Sequence, residues 1–279
     1  TPMSQMVKIL EAYKFASLYE TLEVEGWGTF KPAAGPMWVG GLNSRGLGLL
    51  QSRLQAFGFA AAPLPLGTGI GIGQDTPYAA GSSIAVQLCN GDIEAGSIGT
   101  VTWSDGRSFL AMGHPFMNLG EVELPMSKSN VLAVLPSNDF PFKLGTFENP
   151  GAIVTQDRAT GIAGLIGLDA QMTKVQINVN DMQTGRRSTS DFSCIPDARL
   201  IEGLVSSALL SVVDNTIMRV GEGTAFITVS MDVSGMQLLR EEMIWSPSDI
   251  ANSASFELSD IMGLILGNDV DEPTISEIS

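Results

Sequence analysis

Short apolar runs separated by turn residues dominate the middle of the chain. The most informative stretch is residues 99–116, in which Val101 and Trp103 alternate with polar neighbours and a second apolar run begins at Phe109. Asp105 and Gly106 lie between the two runs. Because glycine accepts the positive φ that tight hairpin turns require, this pattern predicts a β-hairpin.

Four further segments share this texture, and with the two strands of the hairpin they indicate a mainly β region. The predicted strands are residues 84–88, 98–103, 109–112, 131–135, 153–155 and 161–167. Turn residues separate these segments, and no long helical pattern lies among them. Closely spaced short strands of this kind favour a small barrel or a sandwich.

Helical periodicity precedes the β region. Residues 4–20 have the spacing of an amphipathic helix with Ser4 as N-cap, and residues 43–57 predict a second helix that ends at Gly58. We interpret the apolar stripes of both helices as core packing. The glycine repeat in residues 67–73 lacks the Lys-Ser/Thr of a phosphate-binding loop, so we interpret it as a linker or extended segment.

The C-terminal part predicts alternating strands and helices. Residues 175–179 and 224–233 read as strands, and residues 197–213 as a helix. A further helix is predicted to begin with Ser246 as N-cap and Pro247 at its first position, and to continue to Gly267. The acidic residues that follow are expected to form a solvated terminus: Asp269, Asp271 and Glu272.

These patterns divide the chain into three expected regions. Residues 1–75 hold the N-terminal helices and a Gly/Pro-rich segment, which could complete a barrel encoded upstream. Residues 76–175 hold the histidine-bearing β region, and residues 176–279 an α+β unit. The expected fold class is therefore mostly β with α+β.

Charge and hydropathy exclude several classes of partner. The 279 residues carry a net charge of −15, which disfavours nucleic acid and gives no attraction to anionic membranes. No run of eighteen apolar residues occurs, so we expect no membrane span in this chain. The chain opens Thr1-Pro2-Met3 without a leader pattern, which suggests either a removed leader or a piece of a longer protein.

The two cysteines leave two interpretations open. Cys89 and Cys194 are far apart in the sequence, and with a single histidine they cannot assemble a conventional zinc site. A disulfide closing so long a loop would contribute about 4–5 kcal/mol by loop-closure entropy. We expect two separate buried thiols instead, and no metal or other cofactor.

His114 is the only histidine in the chain. It follows the predicted hairpin, between Gly113 and Pro115. Glycine removes a side chain beside the imidazole, and proline restricts the backbone of the preceding residue. The sequence therefore predicts a histidine held on a stiff tip at a strand end, although a lone histidine without a partner performs no acyl chemistry.

Several blocks of the chain together resemble the SpoIVB-type serine peptidases, the family named for stage IV sporulation protein B of spore-forming bacteria. The blocks are residues 81–92, 99–102, 111–116, 124–126, 137–143, 149–158 and 161–167. The resemblance is close in the middle of the chain and looser over the rest. No single block would suffice, but the Gly-His-Pro-Phe block combined with the Gln-Asp-Arg segment is fairly specific.

The resemblance implies a chymotrypsin-like β-barrel peptidase in which His114 is the general base. It also implies a polypeptide substrate and a location outside the cytoplasm or at the envelope. The family's nucleophile lies in a Gly-Met-Ser-Gly-Ser-Pro type motif, with an essential aspartate upstream of it. Neither motif is in this chain.

The missing serine has an expected location. In larger relatives the serine motif lies before the histidine block and is followed by a segment that resembles residues 1–6. We therefore expect this chain to be the C-terminal, histidine-bearing part of a longer precursor, with the serine upstream. The isolated chain is then expected to be inactive, with the N-terminal part of its own precursor as a partner.

The carboxylates within the chain give His114 no evident partner. Asp157 is the most tempting residue for steering the imidazole, but with Arg158 it reads more simply as an ion pair or a brace for a turn. Asp92 and Asp105 lie in Gly-Asp and Asp-Gly contexts and read as turn residues.

Two nucleophile pairings within the chain are weaker alternatives. Ser127 and Lys128 could mimic a serine–lysine dyad, but adjacent residues of a strand point to opposite faces. Thr1 could act as an N-terminal nucleophile with its own amine as base. Two functions therefore compete: the histidine-bearing part of a serine endopeptidase, and a non-catalytic, peptidase-like binding or envelope-scaffold module.

Overall fold

The computed structural model describes residues 22–24, 28–30, 36–64, 77–135, 142–267 and 273–279. Within these ranges the chain is mostly β, with three α-helices. The described residues within Thr1–Trp38, Leu54–Gln87 and Gly96–Ala170 form one compact unit. Those within Val39–Arg53, Leu88–Ala95 and Gln171–Ser279 form a second. The mostly β class predicted from the sequence is confirmed.

The strands of the first unit include the predicted hairpin. They are β1 (Leu22–Val24), β2 (Gly28–Phe30), β3 (Pro36–Gly40), β4 (Ala60–Pro63), β5 (Ser83–Gly91), β6 (Glu94–Ser104), β7 (Ser108–Ala111), β8 (Gly120–Leu135), β9 (Phe142–Arg158) and β10 (Gly161–Ile166). The last residues of β3 and of β5 belong to segments of the second unit. All six predicted strands are confirmed, as is the β6–β7 pairing around Asp105-Gly106.

Six of these strands form a ring of pairings, because the first strand of the order also pairs with the last. The order is β5-β8-β9-β10-β7-β6, and β5 also pairs with β6. These strands carry apolar ladder positions that are no more than 3% exposed: Val86, Met126, Ala152, Leu124, Val154, Ile162, Ala111 and Val101. This apolar row forms the core of the first unit.

Gly164 permits the closest packing in this row. A methyl group at this position would overlap the carbonyl oxygen of Ile153 and lie 2.8 Å from the ring of Phe109. Gly164 also lies at a shift in the β9–β10 register, where the ladder bends. The glycine is therefore required by the approach of a backbone and a buried ring.

Two strands are much longer than predicted. β8 has 16 residues and β9 has 17, whereas only 131–135 and 153–155 show the expected apolar pattern. Shifts in register interrupt the β8–β9 ladder at several points, including Met126/Ser127. After each shift, the side chains that had faced the core face the other side of the sheet, so the apolar and polar residues no longer alternate regularly. In addition, the Asn149-Pro150-Gly151 segment has the composition of a turn but is extended within β9.

The second unit is the α+β unit. Its elements are α1 (Ser44–Leu54), β11 (Thr173–Asn180), β12 (Arg187–Cys194), α2 (Ile201–Ile217), β13 (Gly223–Val233), β14 (Met236–Ser246), α3 (Ile250–Leu266) and β15 (Ile275–Ile278). The sheet order is β14-β13-β15-β11-β12-β5, with β15 parallel to β11. α2 packs on β11 and β12, and α3 on β13 and β14.

The predicted helix at residues 43–57 is confirmed. The Asn43 side-chain oxygen accepts hydrogen bonds from the backbone N–H groups of Arg45 and Gly46, so Asn43 is the N-cap of α1. A turn of 3₁₀-helix follows the α-helix, and Gly58 ends it with a φ of 78°. Leu50 and Leu54 of the predicted stripe are buried.

The C-terminal helix begins later than predicted. Asp249, not Ser246, is its N-cap, because the Asp249 carboxylate accepts a hydrogen bond from the Asn252 N–H at 3.0 Å. Ser246 is the last residue of β14, and its hydroxyl accepts from the Asp249 N–H at 3.1 Å. β14 was not predicted, because most of its residues are exposed and its sequence has no clean alternation.

The remaining predicted segments either match elements of the second unit or lie outside the described residues. The predicted strands at 175–179 and 224–233 and the predicted helix at 197–213 correspond to β11, β13 and α2. The residues after the acidic segment form β15, in which Ile275 and Ile278 are buried. The predicted helix at 4–20, the glycine repeat at 67–73 and the acidic segment at 269–272 lie outside the described residues.

The two cysteines form a disulfide, so the expectation of separate thiols is wrong. Cys89 of β5 and Cys194 of β12 are direct partners in the antiparallel ladder, with their Cα atoms 4.2 Å apart. Both side chains are fully buried. Residues that are 105 positions apart in sequence become neighbours only through strand pairing, which spacing alone does not reveal.

We expect Gly164→Ala to lower the free energy of unfolding by about 3 kcal/mol, because the added methyl must displace backbone or the Phe109 ring. Urea denaturation measures the loss. Gly151→Ala on β9 is the matched control, since its methyl would meet only the movable Tyr78 hydroxyl at 3.3 Å. Equal stability of the two variants would contradict the packing described for Gly164.

We expect the double variant Cys89→Ala/Cys194→Ala to lose about 4–5 kcal/mol of unfolding free energy, since the bridge restricts a long loop in the unfolded chain. Denaturation in the presence and absence of reductant measures the contribution, and the double variant should not respond to reductant. Two titratable thiols in denatured, unreduced protein would refute the bridge.

Candidate functional site

His114 lies just beyond β7, where the chain turns sharply. Met112 and Gly113 both have positive φ, 67° and 75°, and the Gly113 N–H donates to the Ala111 carbonyl at 2.9 Å. The Met112 N–H still donates to the Thr100 carbonyl at 2.9 Å, so the turn begins at the edge of the ladder. These bonds direct His114 away from β7, and its side chain is exposed.

The imidazole of His114 has a defined orientation. Its Nδ1 atom lies 2.8 Å from the backbone carbonyl oxygen of Pro115. A carbonyl oxygen only accepts, so in the neutral ring Nδ1 carries the proton and Nε2 the lone pair. Nε2 is therefore the basic nitrogen. The described residues include no carboxylate and no hydroxyl or thiol nucleophile hydrogen-bonded to this ring.

The buried carboxylate of Asp157 holds the loop that follows His114. Its Oδ1 accepts from the Phe116 N–H at 2.8 Å, and its Oδ2 accepts from the N–H groups of Met117 at 2.7 Å and Leu119 at 3.2 Å. Asp157 is fully buried within β9. Three N–H groups compensate for the removal of this charge from water.

Asp157 therefore braces a turn, which was one of its predicted structural roles, and does not orient the imidazole. The alternative of an ion pair with Arg158 is wrong, because Arg158 donates to the Gln156 side-chain oxygen at 2.8 and 2.6 Å. Adjacent strand residues point to opposite faces, so the buried carboxylate and the exposed guanidinium separate.

An aromatic contact secures the same loop. The Phe116 and Phe59 rings lie with centroids 5.2 Å apart at an interplanar angle of 53°, and both residues are buried. Asn118 and Gly120, both with positive φ, complete the bend around Asp157. The exposed His114 and the half-buried Pro115 thus lie between two fixed points, the Gly113 turn and the Phe116 side chain.

The predicted turn aspartates are confirmed as structural. Asp105 accepts from the backbone N–H groups of Ser108 at 2.7 Å and Arg107 at 2.9 Å, and these bonds lower the pKa of the Asp105 carboxyl. Asp92 accepts from the backbone N–H of Asp191 at 2.8 Å. Both carboxylates satisfy backbone donors at strand ends.

Ser127 and Lys128 do not form a dyad. The buried Ser127 hydroxyl accepts from the Gln87 amide at 2.8 Å and donates to the Lys128 backbone carbonyl at 2.8 Å. The Lys128 ammonium instead lies 5.7 Å from the centre of the Tyr78 ring. The expected separation of these neighbours across the strand is confirmed. Thr1 lies outside the described residues.

A polar cluster that the sequence did not suggest surrounds the Gly99 carbonyl. The Lys143 ammonium donates to this carbonyl at 3.3 Å and to the Thr100 hydroxyl at 2.6 Å, and the Ser83 hydroxyl donates to the same carbonyl at 3.4 Å. Burial lowers the pKa of Lys143. Lys143 links β9 to β6. In the sequence, only its position between two apolar residues, Phe142 and Leu144, could have indicated a partly buried lysine.

The arrangement around His114 offers a base without a nucleophile. Within the described ranges, no three His, Cys, Asp or Glu side chains lie close enough together to hold a metal ion. No described helix has both the length and the hydrophobicity needed to cross a membrane. Comparison with family models, curated proteins and solved structures found no match.

We expect Asp157→Asn to destabilise the protein by about 2–3 kcal/mol, because the amide loses the charge and turns one acceptor into a donor facing backbone N–H groups. Urea denaturation measures this loss. The single His114 ring signal in the NMR spectrum, unique in this chain, should shift or broaden as the loop loosens.

Asp105→Asn is the matched control, since it also removes a carboxylate that accepts backbone bonds, but on an exposed turn. It should cost less stability and leave the His114 signal in place. Wild-type stability together with an unchanged histidine signal in Asp157→Asn would disprove the bracing role.

Proposed function

We propose that this chain is the histidine-bearing part of a SpoIVB-like serine endopeptidase, with His114 as general base for a serine supplied from outside residues 1–279. The observation that carries this proposal is the geometry of the imidazole. Its Nδ1–H is held by the Pro115 carbonyl at 2.8 Å, and its basic Nε2 stands on an exposed tip. General-base catalysis needs an imidazole oriented in this way.

Proton movements follow from this orientation. The serine oxygen bonds to the carbonyl carbon of the substrate peptide, and the serine proton passes to Nε2 of His114. The resulting imidazolium then gives that proton to the amine nitrogen of the leaving segment as the C–N bond breaks. In this chain the bond from Nδ1–H to the Pro115 carbonyl leaves Nε2 available for that proton.

The partner of Nδ1 makes the site incomplete in a second respect. In a Ser-His-Asp triad, a carboxylate accepts from Nδ1 and stabilises the imidazolium. Here a neutral carbonyl accepts from Nδ1. Asp157 is occupied by three N–H groups. We infer that an acidic residue outside this chain completes the site together with the serine.

The pairing order of the first unit supports a barrel of the chymotrypsin type. Six strands follow one another in an order that returns to β5, and together they carry a row of buried apolar side chains. His114 follows β7 of this ring. A ring of six paired strands is compatible with the barrel that the peptidase proposal requires.

The disulfide supports an extracytoplasmic location. Cys89 and Cys194 are bridged, and disulfides persist mainly in oxidising compartments such as the bacterial periplasm or the cell exterior. This bridge supports the proposed location outside the cytoplasm; the polypeptide substrate is part of the peptidase proposal.

One observation favours a second candidate function. The described residues bring no nucleophile into hydrogen-bonding contact with His114. A peptidase-like unit kept as a binding or envelope-scaffold module would have this property without needing an external serine.

Labelling with a fluorophosphonate probe distinguishes the two functions. A polypeptide that joins this chain to an upstream segment bearing the Ser-Gly-Ser-Pro motif should react, whereas residues 1–279 alone should not. We expect His114→Ala in the joined protein to slow labelling by roughly 10²–10⁴-fold, the usual contribution of a general base. Because His114 is exposed, the variant should fold normally, and circular dichroism checks this.

Arg107→Ala is the control variant, an exposed residue at the opposite end of β7, and it should label like the wild type. Labelling that is unaffected by His114→Ala would rule out the general-base role. A joined protein that folds but never labels would favour the binding module.

A further inference from the structure

The edge of the second unit carries an open strand with an apolar surface. β14 ends the sheet order, and no described strand pairs with its outer side. Three of its side chains, Leu239, Met243 and Trp245, are 69%, 71% and 66% exposed. Phe226, the ladder partner of Met243 on β13, is 64% exposed. An exposed strand edge is a template for pairing with another strand.

The backbone groups that face this edge can be identified. Ser230 of β13 exchanges both of its hydrogen bonds with Ser279, at 2.7 and 2.8 Å, so its polar groups point away from β14. Leu239 is opposite Ser230, and its N–H and C=O groups therefore face the free edge. The period of two extends this orientation along β14: Gln237, Glu241, Met243 and Trp245.

The two faces of β14 differ in what they contact. Arg240 bonds to Glu257 of α3 at 3.0 Å and to Glu242 on the same strand. The even-numbered side chains of β14 therefore lie on the helix side of the sheet, and the odd-numbered ones on the other side. A strand added to the edge must match both rows.

We propose that β14 pairs antiparallel with β14 of a second copy of this chain, about a twofold axis at Glu241. A twofold axis perpendicular to the sheet keeps every residue on its own face, so only residues of the same row can be opposite each other. In the register centred on Glu241, Arg240 is opposite Glu242 of the second copy, and the symmetry supplies this pair twice.

The same register also matches the apolar positions. Leu238 is opposite Ile244 of the second copy, and Leu239 is opposite Met243 of the second copy. Cross-strand pairs of opposite charge, and of apolar side chains, stabilise antiparallel sheets. The one unfavourable pair is Glu241 with its own symmetry mate.

Neighbouring registers are worse in both respects. Centring the axis on Arg240 places two arginines together and sets Leu239 against Glu241. Centring it on Glu242 places two glutamates together and sets Glu241 against Met243. Of the three registers centred on residues 240, 241 and 242, only the one centred on Glu241 sets opposite charges against each other, and this self-complementarity is the argument for a second copy as the occupant.

Light scattering on the full chain over a range of concentrations tests the proposal. The wild type should form a dimer whose dissociation constant rises at least about tenfold in Arg240→Glu or in Glu242→Arg, because each variant faces like charges. The double variant Arg240→Glu/Glu242→Arg should regain the wild-type constant. Circular dichroism verifies that each variant is folded.

Cross-linking tests the register independently. Glu241→Cys should form a disulfide-linked dimer under mild oxidation, because only this position meets itself. Leu239→Cys is the matched control: its symmetry mate lies about 13 Å away along the paired strands, so it should not cross-link. A wild type that stays monomeric, which leaves the edge to another partner, would overturn the proposal. A dimer that is unaffected by the charge reversals, or one cross-linked through residue 239, would do so as well.

Discussion

The buried carboxylate of Asp157 is the interaction on which the shape of the histidine loop depends. A bend with several positive-φ residues leaves backbone N–H groups without helix or strand partners, and in this bend three of them converge on one side chain. A buried carboxylate needs hydrogen-bond donors, and buried N–H groups need an acceptor. The Asp157 carboxylate and the three N–H groups therefore satisfy each other. The exposed position of His114 is a consequence of this local balance.

Each unit has one exposed feature that lacks a partner among the described residues. In the first unit the Nδ1 atom of His114 contacts the Pro115 carbonyl, and no nucleophile among the described residues is hydrogen-bonded to the ring. In the second unit the outer edge of β14 carries exposed apolar side chains, and no described strand pairs with it. The two proposals of external partners rest on these two observations.

Local pattern was sufficient where alternation and turn chemistry coincide. The β6–β7 hairpin followed from Val101, Trp103 and the Asp105-Gly106 turn, and the helix predicted at residues 43–57 from its apolar stripe and its terminal glycine. The full lengths of β8 and β9 could not be predicted, because each register shift reverses which residues face the core. β14 escaped prediction because an edge strand exposed on both faces has no buried row to produce alternation.

The sequence by itself determined the mostly β class, the hairpin that precedes His114 and the stiffness that Gly113 and Pro115 confer on its tip, because these depend on residues close together along the chain. Tertiary structure alone decided that Asp157 braces the loop at 116–119 and that Cys89 meets Cys194. It also decided that Lys143 joins Thr100. These contacts arise from strand register, which is set by the packing of the whole core and is not encoded in the spacing of any two residues.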